Sequence, residues 1–350
     1  MYVIYYDNIA IASTGHPSFP IVSGTLKQAK NTADVFTFTL PATNPERDTP
    51  QIRSGIIMLK KDGDLLFKGD VISTKVKFDN SREIVCQGCL AWLNDISTNT
   101  ISAADTVLNR FNSTVDRYNE LCKSTRQIVK GQCLNKPTAT LKIYTKEEYM
   151  TLFEYFKQTI ERKGGMMLIR YSDEDAILDY LVSKEKTSKQ TIYFGQNLLD
   201  LENYVSAENT ASVIYPKGKD GITISSVNDG NVYLRNEPMY VKYGNISVPM
   251  KFDSETPQEL KDDAQASLNA LAVLNQTIKL TAFDLNLIDT TIDSIEIGDM
   301  VRAVSAPHGL DTTLECSEKV IDLLNPANCT VTLGKTLKSL SKIIAIGGIK

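Results

Sequence analysis

Apolar and polar positions alternate along residues 1–95, the period of strands that bury one face. The opening run Met1–Ser13 reads as a first strand. In Val35–Leu40, Phe36, Phe38 and Leu40 fall on one face and Thr37 and Thr39 on the other, and Pro41 ends the run. Ile56–Leu59 is a short apolar run followed by Lys61-Asp62-Gly63-Asp64, where Asp-Gly predicts a tight hairpin because glycine accepts positive φ. The returning strand covers Leu65–Phe78 and alternates through Lys75-Val76-Lys77-Phe78. Asp79-Asn80-Ser81 then turns the chain into a strand over Ile84–Leu90. Short strands at this spacing predict a small barrel or sandwich.

The period changes over residues 96–190. Ser102 is placed to cap a helix with Ala104, Val107, Leu108, Phe111, Val115 and Tyr118 on one stripe. Thr145-Lys146-Glu147-Glu148 has the form of a capping box, opening a helix with Tyr149, Leu152, Phe153, Phe156 and Ile160 on one side and Gly164-Gly165 at its end. Met166–Tyr171 and Ala176–Val182 read as a hairpin around Ser172-Asp173-Glu174-Asp175. Residues 191–255 return to strands, with turns at Asp220-Gly221 and Asp229-Gly230. Thr256-Pro257-Gln258-Glu259 is the best-marked helix start in the chain, and Leu260, Ala264, Leu268, Leu271 and Ala272 form the buried stripe behind it. From Thr277 the pattern is β again, through Ile295–Asp299 and on to Cys329–Leu333. The order of β region, helix-bearing region, β, helix and β suggests two related halves.

Composition narrows the function classes. A chain of 350 residues divides into about two to four modules. The apolar fraction of 42% and the charged fraction of 23% are those of an ordinary globular protein. A formal net charge of −4 supplies no basic excess for gripping nucleic acid through its phosphates. The N-terminus has neither a basic leader nor a long apolar core, so a signal peptide is not expected. No apolar run approaches the roughly 18 residues of a membrane-spanning helix. Cys86, Cys89, Cys122, Cys133, Cys316 and Cys329 are sparse for a disulfide framework and are expected as free thiols in a reducing compartment.

Four places could carry chemistry. Cys86-Gln87-Gly88-Cys89 has the CxxC spacing of a redox pair or half a zinc site, but it lies in a predicted strand and has no second pair. His308 with Ser305 and Asp311 could compose a hydrolase triad, while His16 sits in another loop; no elbow or oxyanion donors accompany either. Gly334-Lys335-Thr336 resembles the end of a phosphate-binding loop, but Cys329 stands where its first glycine belongs. Asp173-Glu174-Asp175 lacks the alternating oxygen ligands and central glycine of a calcium loop. No catalytic, cofactor-binding or metal-binding residue is therefore expected.

Several short segments resemble the tail-tip and baseplate-hub proteins of long-tailed phages, a family that includes the N-terminal structural region of tail-associated lysins. These are Gly24–Pro45, Cys89–Asp95 (CLAWLND), Phe194–Leu201 (FGQNLLDL), Tyr215–Asp220, Ile224–Gly230, Ile297-Gly298-Asp299 and Thr332–Lys335. Pro216-Lys217-Gly218 departs from the Leu or Pro-Leu-Gly that many relatives have there. The resemblance implies a multi-domain α+β chain with two small tube-type β-barrels, each carrying an inserted helix-containing module. The expected domains are 1–95 for the first barrel, 96–190 for its insertion, 191–236 with 290–350 for the second barrel, and 237–289 for the second insertion, with a helix over 256–275. It further implies a homotrimeric hub that caps or extends the tail tube in the virion, assembled in the bacterial host cytoplasm and serving host attachment and DNA delivery. Its neighbours would be the distal tail protein, the tail tube protein, the tape measure protein, receptor-binding proteins and DNA passing through without sequence-specific contact. Two rivals are a peptidoglycan-degrading tail endopeptidase and a host-surface carbohydrate-binding module. In the family the first activity belongs to a separate C-terminal region, which is not expected within residues 1–350 and would need a longer chain. The second is expected to need a stacking platform, which the single Trp92 does not supply.

Overall fold

The computed structural model describes residues 1–98, 104–135, 137–142, 149–172, 175–182, 186–206, 210–272, 275–287, 289 and 291–334. Ser102, the Thr145–Glu148 box, Asp173, Glu174 and everything after Gly334 lie outside them. The chain divides into two compact units, one formed by Met1–Asp200 with Leu280–Gly334 and the other by Leu201–Lys279.

The first unit begins with seven strands: β1 (Tyr2–Tyr6), β2 (Ile9–Ser13), β3 (Ser23–Ala29), β4 (Val35–Leu40), β5 (Ile56–Lys61), β6 (Asp64–Val76) and β7 (Arg82–Gly88). They lie in the order β3-β4-β7-β6-β5-β1-β2, each pair antiparallel. The alternation in β4 does what its pattern predicts. Phe36 and Phe38 are fully buried, with ring centroids 5.0 Å apart. They pack with Leu26, Phe67, Val71 and Ile84 in one core. The β5–β6 connection is the expected tight hairpin, with φ of 52° at Asp62 and 102° at Gly63, the two positive values that a primed turn requires.

β7 ends at Gly88, two residues before the expected Leu90, and the chain enters a 3-10 helix over Cys89–Asn94. That turn swings Cys89, Leu90, Trp92 and Leu93 into a second core, under α1 (Val107–Leu121) and α2 (Leu152–Lys163). Phe111 meets Phe156 at 5.8 Å, and Phe156 meets Tyr180 at 5.0 Å, edge to face. Ile128–Cys133 runs parallel to Asp175–Leu181, which pairs antiparallel with Met166–Ser172.

Both helix starts differ from expectation. The hydroxyl of Thr106 accepts the Asn109 N–H at 3.1 Å and caps α1. Ala104 therefore belongs to the strand Ala104–Thr106, and Leu108, one position off the Val107–Phe111–Val115 stripe, is 39% exposed. Thr151 caps α2 in the same way by accepting the Glu154 N–H, so Tyr149 precedes the helix and is 76% exposed.

The sheet does not stop at β3. The strand Leu310–Asp322 pairs antiparallel with β3, from Asp322 opposite Thr25 to Glu318 opposite Ala29. On its other edge it pairs with Thr330–Leu333, which in turn pairs with Leu280–Ala282. Its N-terminal half pairs with Met300–Ser305, which runs parallel to Thr187–Tyr193.

In the second unit Val213–Lys217 pairs antiparallel with Leu234–Arg235 and parallel with Ser247–Lys251. Helices α3 (Glu237–Tyr243) and α4 (Pro257–Leu271) follow the second and third of these strands. The strands at 213–217 and 234–235, expected within the 191–236 part of the second barrel, thus share a small sheet with a strand from the expected insertion. α4 begins as its sequence predicts: Thr256 accepts the Glu259 N–H at 3.2 Å. The Glu259 carboxylate takes the Glu255 N–H instead of the cap residue's own, so the box closes one residue early. Leu260, Ala264, Leu268 and Leu271 pack on Ile214, Leu234 and Met250. The expected strands around Asp220-Gly221 and Asp229-Gly230 are not formed. Residues 218–230 make two 3-10 turns, Lys219–Gly221 and Ser225–Val227, and both Asp-Gly pairs adopt positive φ inside this irregular connection.

Candidate functional site

The side chains singled out for chemistry are held in packing roles. Cys86 and Cys89 are both free and fully buried, in two different cores. The Cys89 thiol donates to the Lys68 carbonyl at 2.9 Å, and burial pushes both thiols far above their ordinary range, so neither is a ready thiolate. The expectation that both lie inside one strand is corrected by the end of β7 at Gly88.

His16 accepts the Ser18 N–H through Nδ1 at 3.2 Å and packs against Phe19. His308 does meet Ser305, with Nδ1 and Oγ 2.6 Å apart, and its ring lies edge-on to Phe194 at 5.4 Å. Ser305 is fully buried. Asp311 takes two hydrogen bonds from Arg302, at 2.9 and 2.8 Å, which hold its carboxyl below the usual carboxylate range. A working triad orients the imidazole with that carboxylate. Here the Ser–His contact clamps the turn Ala306–His308. Gly334 follows the strand Thr330–Leu333, and the rest of the phosphate-loop-like motif lies outside the described residues. Among the described residues no group of three or more His, Cys, Asp and Glu side chains could hold a metal ion.

What the fold does build with polar groups is a joint. Lys319, on the strand Leu310–Asp322, is nearly buried beside the junction with β3. Its ammonium donates to Ser294 Oγ at 2.7 Å, the Ile295 carbonyl at 2.8 Å and Glu296 Oε1 at 3.0 Å, and lies 3.7 Å from Asp284 Oδ2. Asp284, also buried, accepts from Gln190 Nε2 at 2.6 Å, Ser294 Oγ at 2.8 Å and the Ile295 N–H at 3.1 Å. A cavity of about 160 Å³ beside this knot is lined by Tyr2, Lys61 and Leu66 from the N-terminal strands and by Asp284, Lys319 and Cys329 from the C-terminal ones. Burial pushes the Tyr2 phenol up to about 12, with the Cys329 thiol adding to it. Across the junction Lys30 meets Glu315 at 2.7 Å and Lys27 meets Glu318 at 3.1 Å. A second buried pair, Asp70 of β6 with Arg126 at 2.9 Å, ties β6 to the segment after α1. None of these pairs had a sequence signal.

This joint lies largely in the part of the chain that matches a known family. Residues 185–344 match the model described as prophage endopeptidase tail. That segment is similar to prophage tail proteins. The resemblance to the phage tail-tip family is thereby borne out. The segment runs from the strand Thr187–Tyr193 through the second unit to Thr330–Leu333. Solved structures extend the likeness to the whole chain. A tail protein from Neisseria meningitidis matches with TM-score 0.65 and 12% identity, over 98% of this chain and 99% of that one. The 43 kDa tail protein of prophage MuSo2 from Shewanella oneidensis matches with TM-score 0.61 and 12% identity, over 98% and 97%. An E. coli protein, described as a type VI secretion system component with structural similarity to the T4 bacteriophage tail proteins gp27 and gp5, matches with TM-score 0.51 and 9% identity, over 96% and 77%. At these identities the likeness is one of fold. No curated protein matches the chain in sequence.

Proposed function

We propose that the chain is a structural, non-enzymatic component of a phage or prophage tail tip, three copies of which form a hub ring that caps or extends the tail tube. One observation carries this reading: the strand Leu310–Asp322 is hydrogen-bonded to β3, so the N-terminal and C-terminal β regions form one continuous sheet. A chain that offers two joined β units to a ring presents six such units in three copies, the number needed to meet a hexameric tube. The Lys319–Asp284 knot and the Lys30–Glu315 pair stiffen that joint. Each copy would contact the distal tail protein and the tube protein on one side. The lumen would pass the tape measure protein and DNA, and receptor-binding proteins would attach at the periphery in the virion. The acidic balance of −4 suits a conduit, because a cationic lumen would hold DNA through counterion release.

Imaging of the purified chain at tens of micromolar, alone and with its tail tube ring, tests the reading. Rings of three copies with a sixfold-like face are expected; a monomer in both conditions, or a ring of another order, would sink it. The rival is wall cleavage, the activity named in the family's description. The expected outcome is that purified peptidoglycan is not cleared, and clearing by this chain would overturn the non-enzymatic role.

A further inference from the structure

The small sheet of the second unit has two unlike faces. Ile214, Leu234 and Met250 point into the core under α4. The alternate positions point the other way. Tyr215 stands opposite Pro249, and Lys217 opposite Lys251, on neighbouring parallel strands. Tyr215 also meets Tyr233, with ring centroids 5.7 Å apart and planes tilted by 48°. Arg235 lies beyond, its guanidinium 4.6 Å from the Tyr240 ring and paired with Glu237. Tyr215 is 41% exposed, and Lys217, Arg235, Pro249 and Lys251 are exposed. This row of strand positions holds three cations and no carboxylate, in a chain that is acidic overall. Glu237 pairs with Arg235, while Asp220, Asp253 and Glu255 gather around Lys219, which Glu255 meets at 2.7 Å. Lys217 and Lys251 make no ion pair among the described residues.

We infer that this face is a docking surface for a phosphate-bearing glycan. The Tyr215 ring beside Pro249 offers a flat apolar patch that suits the C–H face of a sugar ring. The adjacent ammonium groups of Lys217 and Lys251 supply donors and charge for a phosphodiester. Arg235, held by Glu237 and by its cation–π contact with Tyr240, borders the patch, and the two lysines carry its unpaired charge. Charge complementarity favours an anionic partner over a neutral sugar. The tilt between Tyr215 and Tyr233 argues against single-stranded nucleic acid, whose binding relies on open rings for successive bases. The inference does not depend on the ring-forming role, since it concerns one face of one unit.

The full chain would be passed over immobilised poly(glycerol phosphate) carrying hexosamine substituents, a neutral glucan of matched length, and a single-stranded thymidine oligonucleotide. Binding to the phosphate polymer alone, weakened by rising salt, is expected. Tyr215→Ala and the double variant K217E/K251E should each weaken it about tenfold, the size of a single aromatic or charged hot spot. Both changes are at the surface, and an unaltered melting transition would show that the fold is kept. K123E, on the other unit, should leave binding unchanged. The inference is overturned by binding to none of the three up to millimolar concentrations, by equal binding to the glucan, by stronger binding to the oligonucleotide, or by binding that both variants leave intact.

Discussion

At the scale of single residues, the decisive groups are buried charges with structural partners. Lys319 neutralises Asp284 and Glu296 at the joint. Lys319→Met leaves two carboxylates facing a site built for an ammonium. Breaking one partner of a buried pair costs about 3–5 kcal/mol. The urea midpoint should fall accordingly, and adding Asp284→Asn should recover part of the loss. Asp34 gives a pH-dependent prediction. It lines a small cavity with Cys89 and Tyr171, accepts from Gln28 Nε2 at 3.1 Å, and burial pushes its carboxyl up to about 6 despite that hydrogen bond. A folded-state value above the unfolded one means that ionisation opposes folding. The penalty is fully present above about 6 and disappears below the unfolded value near 4. Asp34→Asn should therefore raise the melting temperature at pH 8 and leave it unchanged at pH 3.5. A uniform shift at both values would contradict the assignment.

Elements reveal how much the sequence carried and where it failed. The strands were legible because alternation is a local signal: Phe36, Phe38 and Leu40 needed only their own neighbours to be placed. The helix stripes were legible for the same reason, and so was the start of α4 at Thr256, but the starts of α1 and α2 were not. Ser102 and Thr106 are both plausible caps, and only the strand Ala104–Thr106 decides between them. Thr106→Ala and Thr256→Ala should each cost about 1 kcal/mol, the usual loss of a hydroxyl cap, measurable by denaturant unfolding. Asp220-Gly221 and Asp229-Gly230 misled because positive φ serves 3-10 turns as well as hairpins. Gly69 was silent in sequence. A Cβ there would sit 2.0 Å from the Gln87 carbonyl oxygen of the neighbouring strand. Gly69→Ala should split β6 from β7 and lower the melting temperature by more than either cap variant.

At the scale of the whole molecule, the least legible feature is the one that matters most. Nothing near Thr25 announces a partner at Asp322, nearly 300 positions away, because strand pairing at that separation leaves no periodic trace. The tyrosine-bearing face of the small sheet was equally hidden. Its members come from three strands and from α3, and a count of aromatic residues could not show that Tyr215 meets Tyr233 or that Tyr240 lies under Arg235. The charges across the joint test its energetic role. Lys30→Glu should place two acids together and lower the melting temperature. Adding Glu315→Lys should restore it, whereas additive losses in the double variant would show that the pair contributes nothing.

The pairing of β3 with Leu310–Asp322 also sets an order of events during synthesis. Strands β1 to β7 can assemble early, but the outer edge of β3 stays open until ribosomes have translated past the Leu310–Asp322 segment. An open edge is an invitation to pair with another nascent chain. Contacts this distant in sequence also form slowly. Translation that halts before codon 310 therefore yields an adhesive half-sheet instead of a smaller competent subunit. Chains of that kind should appear in the insoluble fraction of the cell, and stop codons placed before and after the Leu310–Asp322 segment would locate the threshold.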